Sequence, residues 1–236
     1  MTKKFFAPLL GFLIFSSANV AAVSADDSLV FGMTMRFRYE FMDNFNQKYY
    51  GGNPGQGASD DGFLLGRFRA GFDYRPSEKI HLALWMQDSE RWDLALPDST
   101  FYNSKLGMEH NPTKDQWELW QTYVEILEPA DLPLTVKAGR QRIYYGDKRI
   151  FGPGEWGNTG SWVWDADKLS FAFKDGFIDT YYGRTMVHEP VQFSLNHRHF
   201  YESFGFYSQY NSGENFYSMV FEPFFLSKRD DHDAYT

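Results

Sequence analysis

The chain has 236 residues, no cysteine, 43% hydrophobic and 19% aromatic side chains, and 31 acidic against 23 basic groups, for a formal charge of -8. So many aromatics exclude a disordered chain, the missing cysteines exclude a disulfide scaffold, and the acidic balance argues against nucleic acid as a partner. No apolar run reaches the roughly 18 residues that a membrane-crossing helix needs.

In chain order, Lys3 and Lys4 precede an apolar stretch from Phe5 to Phe15, broken by Pro8 and Gly11, and then the small residues Val23-Ser24-Ala25. This layout predicts a secretory signal peptide over residues 1–25, cut after Ala25. The competing reading is an ordinary N-terminal core helix. With the leader removed, residues 26–236 form one β domain outside the cytoplasm, where lack of cysteine carries no redox message.

The segment 30–42 alternates. Phe31, Met33, Met35, Phe37, Tyr39 and Phe41 take one parity; Gly32, Thr34, Arg36, Arg38 and Glu40 take the other. Successive strand residues point to opposite faces, so this is a strand with one apolar and one charged face. At a rise of about 3.3 Å per residue, a tilted strand of this length matches a bilayer core. The pattern returns in 63–75 and 80–89. Further strands are expected at 116–126, 134–145, 168–174, 177–186, 200–210 and 215–227, about nine in all by the two-residue period. Gly139 marks a bulge in the fifth.

The expected connections alternate long and short. The long ones are 43–62, 91–115, 146–166 and 187–199. The short ones hold Pro76, Pro133, Asp175-Gly176 and Asn211-Ser212-Gly213, which are hairpin turn residues. Outer-membrane barrels sort their loops in this way. The expectation is therefore an all-β antiparallel transmembrane β-barrel of porin type in the bacterial outer membrane. The glycine-rich stretch within 43–62 is expected to be a mobile loop; it lacks the GK[ST] ending of a phosphate loop.

Arg36, Arg38, Arg67 and Arg69 share the non-apolar parity of two neighbouring strands. A charge facing lipid costs about 2–4 kcal/mol near the midplane, so these four are expected to face the lumen. Lys137 joins them, and Arg140 and Arg142 follow according to the bulge. Glu40, Asp73, Glu118 and Glu125 are candidate counter-charges. Such a lining selects anions; the alternative is a wall of ion pairs that only fills space.

The run AGRQRIYYGDKRIFGPGEW at 138–156, with RFRYEF, RFRAGFDYRPSEK, LWMQDSERW and WQTYVEI, resembles the alginate-export outer-membrane barrel family from about residue 30 to at least 175. The resemblance implies a barrel of about eighteen strands, within the known range. It implies passive export of an acidic polysaccharide through an arginine-rich lumen. By matching position the inward residues are Arg36, Arg38, Arg67, Arg69, Gln87, Arg140 and Arg149, with Asp88 and Glu125 as acidic partners. The implied partners are outer-membrane lipid, an anionic polysaccharide or small anionic solute, and a periplasmic export partner. No catalytic residue, metal or cofactor is implied.

Nine strands are an odd count where bacterial single-chain barrels have an even one, and residues 228–236 are polar with no closing aromatic strand. The domain 26–236 is therefore expected to be the N-terminal portion of a longer barrel. Trp156, Trp162 and Trp164 are expected at the lipid interface or, alternatively, at the pore mouth against sugar rings. Rival readings are a barrel enzyme or metal site using His188, Ser194, His197 and His199, a plugged structural or adhesive barrel, and a soluble β-sandwich.

Overall fold

The computed structural model describes residues 15–21, 28–42, 61–104, 106–148, 150–152, 157–159, 163–193, 199–213 and 219–230. Strands follow one another as β1 (Phe15–Ala21), β2 (Leu29–Met42), β3 (Asp61–Ser77), β4 (Ile80–Trp92), β5 (Tyr102–Asn103), β6 (Met108–Glu109), β7 (Asp115–Leu127), β8 (Leu134–Gln141), β9 (Trp164–Phe173), β10 (Gly176–Met186), β11 (His199–Asn211), β12 (Val220–Phe221) and β13 (Phe224–Asp230). All pairings are antiparallel, each strand lying beside its neighbour in the chain, except that β4 passes to β7 around the small β5–β6 hairpin and that β13 pairs with β11 rather than β12.

The result corrects the expected closed barrel. The main sheet has 11 strands and is open, with β1 at one edge and β12 and β13 both pairing with β11 at the other. A barrel needs its first strand bonded to its last, and no ladder joins these two edges among the described residues. The count also differs from nine. Phe15–Ala21, inside the segment expected to be a leader, forms edge strand β1 on β2. The expected last strand is represented by the short β12 and β13, with 214–218 outside the described residues. No helix among the described residues is long and apolar enough to cross a membrane, a statement that does not bear on strands.

Alternation builds the two faces. Phe31, Met35, Phe37, Tyr39 and Phe41 are exposed on one face of β2, and Leu169, Phe171, Ile178, Phe204, Phe206 and Phe225 continue that exposed apolar surface across the sheet. Aromatic pairs stitch it, including Phe31–Phe72 at 5.9 Å and Phe68–Trp117 at 5.4 Å between ring centroids. The opposite face is polar. On it Gly32, Gly71 and Trp85 form one cross-strand row, and the indole lies where Cβ atoms of the two glycines would stand.

The described parts of the connections after β4, β8 and β10 fold back over one end of the polar face, with the small buried clusters among them. Ile143, Phe151, Ala166 and Tyr181 make one, with Tyr145, Trp164 and Leu226 against it; Leu106 and Val187 make another. Trp164 packs on Tyr181 at 5.9 Å, inside the first cluster rather than in an apolar girdle. Trp156, Trp162, Ser194, His197 and most of the glycine-rich stretch lie outside the described residues.

Candidate functional site

Antiparallel register places Arg36 directly opposite Arg67, and Arg67 opposite Ser89. Both guanidinium groups donate to the Gly157 carbonyl oxygen, Arg36 at 2.8 Å and Arg67 at 3.1 Å. Asn158, 2% exposed, anchors this segment. Its Nδ2 stands within 3.1 Å of the carbonyls of Gly66, Glu90 and Thr113, and its own carbonyl accepts from Ser89 Oγ at 2.7 Å. The tip of the β8–β9 connection is thus pinned onto the polar face over β2, β3 and β4. Nothing in the sequence marks Asn158 for this role, because the contact joins residues far apart in the chain.

The other expected residues divide. Arg38 is buried in an ion pair with Glu40 at 2.5 Å. Arg69 donates from Nε to Gln87 Oε1 at 2.6 Å, and its guanidinium carbon lies 3.6 Å from the centroid of the Trp120 ring. Asp88 stands opposite Phe68, on the parity opposite to Gln87. Consecutive strand residues face opposite ways, so Gln87 and Asp88 do not share a face. Arg149 lies outside the described residues.

A continuous polar chain runs between β3, β4, β7 and β8. Trp85 donates to Asp73 at 3.1 Å, His81 lies between Asp73 at 2.7 Å and Glu125 at 3.2 Å, and Lys137 pairs with Glu125 at 3.6 Å. The Lys137 ammonium also stands 3.5 Å over the Tyr123 ring. The expected counter-charges Glu125, Asp73 and Glu40 are therefore engaged with basic groups on this face.

Arg140 is spent differently. It forms a two-pronged pair with Asp165 at 2.7 and 2.9 Å and donates to the Leu119 carbonyl at 3.0 Å. Register sets Arg140, Asp165, Arg184, Glu202 and Arg229 in one row across five strands, with alternating charge. His199 joins this row through Asp165 at 3.0 Å. Gly139 has φ 119, but both ladders of β8 run through it without a register shift, so the bulge expected there does not occur and Arg140 stays on the parity opposite to Lys137.

Outside the strands, His110 and His188 stack at 4.1 Å, and His188 Nε2 donates to the Asn111 carbonyl at 2.8 Å. Burial pushes the His110 pKa down to about 4. No group of three or more His, Cys, Asp or Glu side chains able to hold a metal occurs among the described residues.

The polar face gathers cations, ring systems and a folded-back loop, while the other side is apolar except for the charged row of Arg140, Asp165, Arg184, Glu202 and Arg229, which lies on the strand parity of Leu169, Ile178, Phe204 and Phe225. The chain belongs to the alginate export family, whose profile matches residues 27–219. No curated protein and no solved structure matches it.

Proposed function

We propose that this protein serves the export of an acidic polysaccharide, with its sheet in the bacterial outer membrane, apolar face to lipid and cationic face to the passing polymer. The observation that carries the reading is the sorting of side chains: Arg36, Arg67, Arg69 and Lys137 share one face with Trp85, Trp120 and Tyr123, while phenylalanines cover the other. Guanidinium groups pair carboxylates with two parallel donors, and a basic lining lowers the barrier for anions. The family match supports the polysaccharide as cargo. In hydrocarbon the edge strands β1 and β13 require hydrogen-bonded neighbours, because unsatisfied backbone groups there cost several kcal/mol each. The same face suits smaller anionic solutes, and a periplasmic partner would deliver the polymer.

Cell fractionation combined with an export assay tests the reading. The full chain should co-sediment with outer-membrane markers, and Arg69→Glu together with Arg67→Glu should reduce release of acidic polysaccharide while leaving the protein in that fraction. A chain recovered only in soluble fractions, or release unaffected by the double charge reversal, contradicts it.

A further inference from the structure

The residues after β8 alternate between anchored and presented. Ile143 is 3% exposed. Tyr145 is stacked on Tyr207 at 4.2 Å with rings 8° apart, packs edge-on against Phe151, and donates its hydroxyl to Asp179 at 2.8 Å. Tyr144, between them, is 49% exposed. Immediately beyond, Gly146 (φ 52) and Lys148 (φ 66) take left-handed backbone conformations, and Lys148 N–H donates to the Tyr145 carbonyl at 3.0 Å. This turn brings Lys148 back over its neighbour, with Nζ 5.0 Å from the Tyr144 centroid. Arg142 lies 5.3 Å from the same ring and 5.8 Å from Trp120. Trp120 in turn carries Arg69 at 3.6 Å. The order is cation, ring, cation, ring, cation: Arg69, Trp120, Arg142, Tyr144, Lys148.

We propose that this ladder is a subsite for the uronate units of an acidic polysaccharide, with the exposed Tyr144 ring stacking on the C–H face of a sugar and the flanking Arg142 and Lys148 pairing its carboxylate. The proposal deepens the export reading above and rests on it. The chemistry of a polyuronate alternates in the same sense, since each unit offers a flat apolar ring face and one anionic group. Aromatic faces attract both sugar C–H groups and cations, so the rings hold the cations in place before the polymer arrives. That pre-organisation lowers the ordering cost of binding. Arg36, Arg38 and Arg140, which the sequence singles out, are turned toward the Gly157 carbonyl, Glu40 and Asp165. The ladder adds Arg142 and Lys148 to the cations that meet the polymer.

The test is titration of the purified, folded full chain with an alginate-derived oligouronate and with its carboxyl-reduced, uncharged counterpart. The wild-type chain should prefer the oligouronate. Tyr144→Ala should weaken both oligomers about tenfold, in the range for loss of one ring contact, whereas Tyr144→Phe retains binding. Lys148→Met should weaken the oligouronate alone. If Tyr144→Ala and Lys148→Met bind the oligouronate as wild type does, the ladder is overturned and the export reading stands. If the wild-type chain shows no preference for the oligouronate, the export reading fails and the ladder with it.

Discussion

Arg36 and Arg67 face each other across β2 and β3 and share one acceptor, the carbonyl oxygen of Gly157. Like charges in directly opposed strand positions repel. The partial negative charge of a carbonyl set between them offsets that repulsion, and Asn158 keeps it in place.

Asn158→Ala should therefore loosen the whole β8–β9 connection. It removes the side-chain amide bound to the Gly66, Glu90 and Thr113 carbonyls, in a site that is nearly inaccessible to water. Stranding buried acceptors costs about 1–3 kcal/mol. Urea unfolding should show a loss of that size, and limited proteolysis should cut the connection faster. A variant with wild-type midpoint and cleavage rate would contradict the pinning role.

Gly71→Ala should be poorly tolerated. A Cβ at Gly71 would overlap the Leu84 carbonyl oxygen and the Trp85 Cα, both main-chain atoms of the adjacent strand, which cannot swing away. Overpacking of this kind costs about 1–3 kcal/mol. Gly157→Ala is the control, since among the described residues, its chain neighbours aside, the nearest atom to the added carbon is the Thr159 carbonyl oxygen at 3.9 Å. Thermal unfolding of the two variants should separate them clearly, and equal transition temperatures would refute the argument.

The stacked His110–His188 pair should make the neighbouring connections sensitive to acid. Burial lowers His110 from its ordinary 6.5 to about 4. The folded state therefore favours the neutral ring. The stabilisation is fully present above about pH 6.5 and is lost as pH falls toward 4, because the unfolded chain takes up the proton first. Unfolding free energy measured from pH 7 to 4.5 should decline, and His110→Phe should flatten part of that decline. An identical pH profile in the variant would rule this out.

Arg140 and Asp165 should be energetically coupled. Each N–H prong is short, and Arg140 is 7% exposed, so removing either partner leaves a charge with poor solvation. A double-mutant cycle with Arg140→Met and Asp165→Asn should give a coupling of about 1–3 kcal/mol. A value near zero would mean that His199 and the Leu119 carbonyl satisfy the two groups equally well alone.

The two-residue period alone was enough to read the strands at 30–42, 63–75 and 80–89 and to separate Phe31 and Phe37 from Arg36 and Arg67, because side-chain direction along a strand is a local property. It was also enough to place the short connections between β3 and β4, β7 and β8, and β9 and β10, but not the backbone at Gly139, where the expected bulge does not occur. Closure was not legible. Whether β1 and β13 meet depends on how twist and register accumulate over the whole sheet, and the open edges overturn the barrel that the alternation suggested. Partner choice was equally hidden: the pairing of Arg140 with Asp165, the Gly157 carbonyl between Arg36 and Arg67, and the turn that sets Lys148 over Tyr144 all require chain segments to meet in space. The order of residues determined which way each side chain points; the tertiary structure decided what it meets, because a hydrogen bond acts over about 3 Å while its two partners here stand up to 122 residues apart.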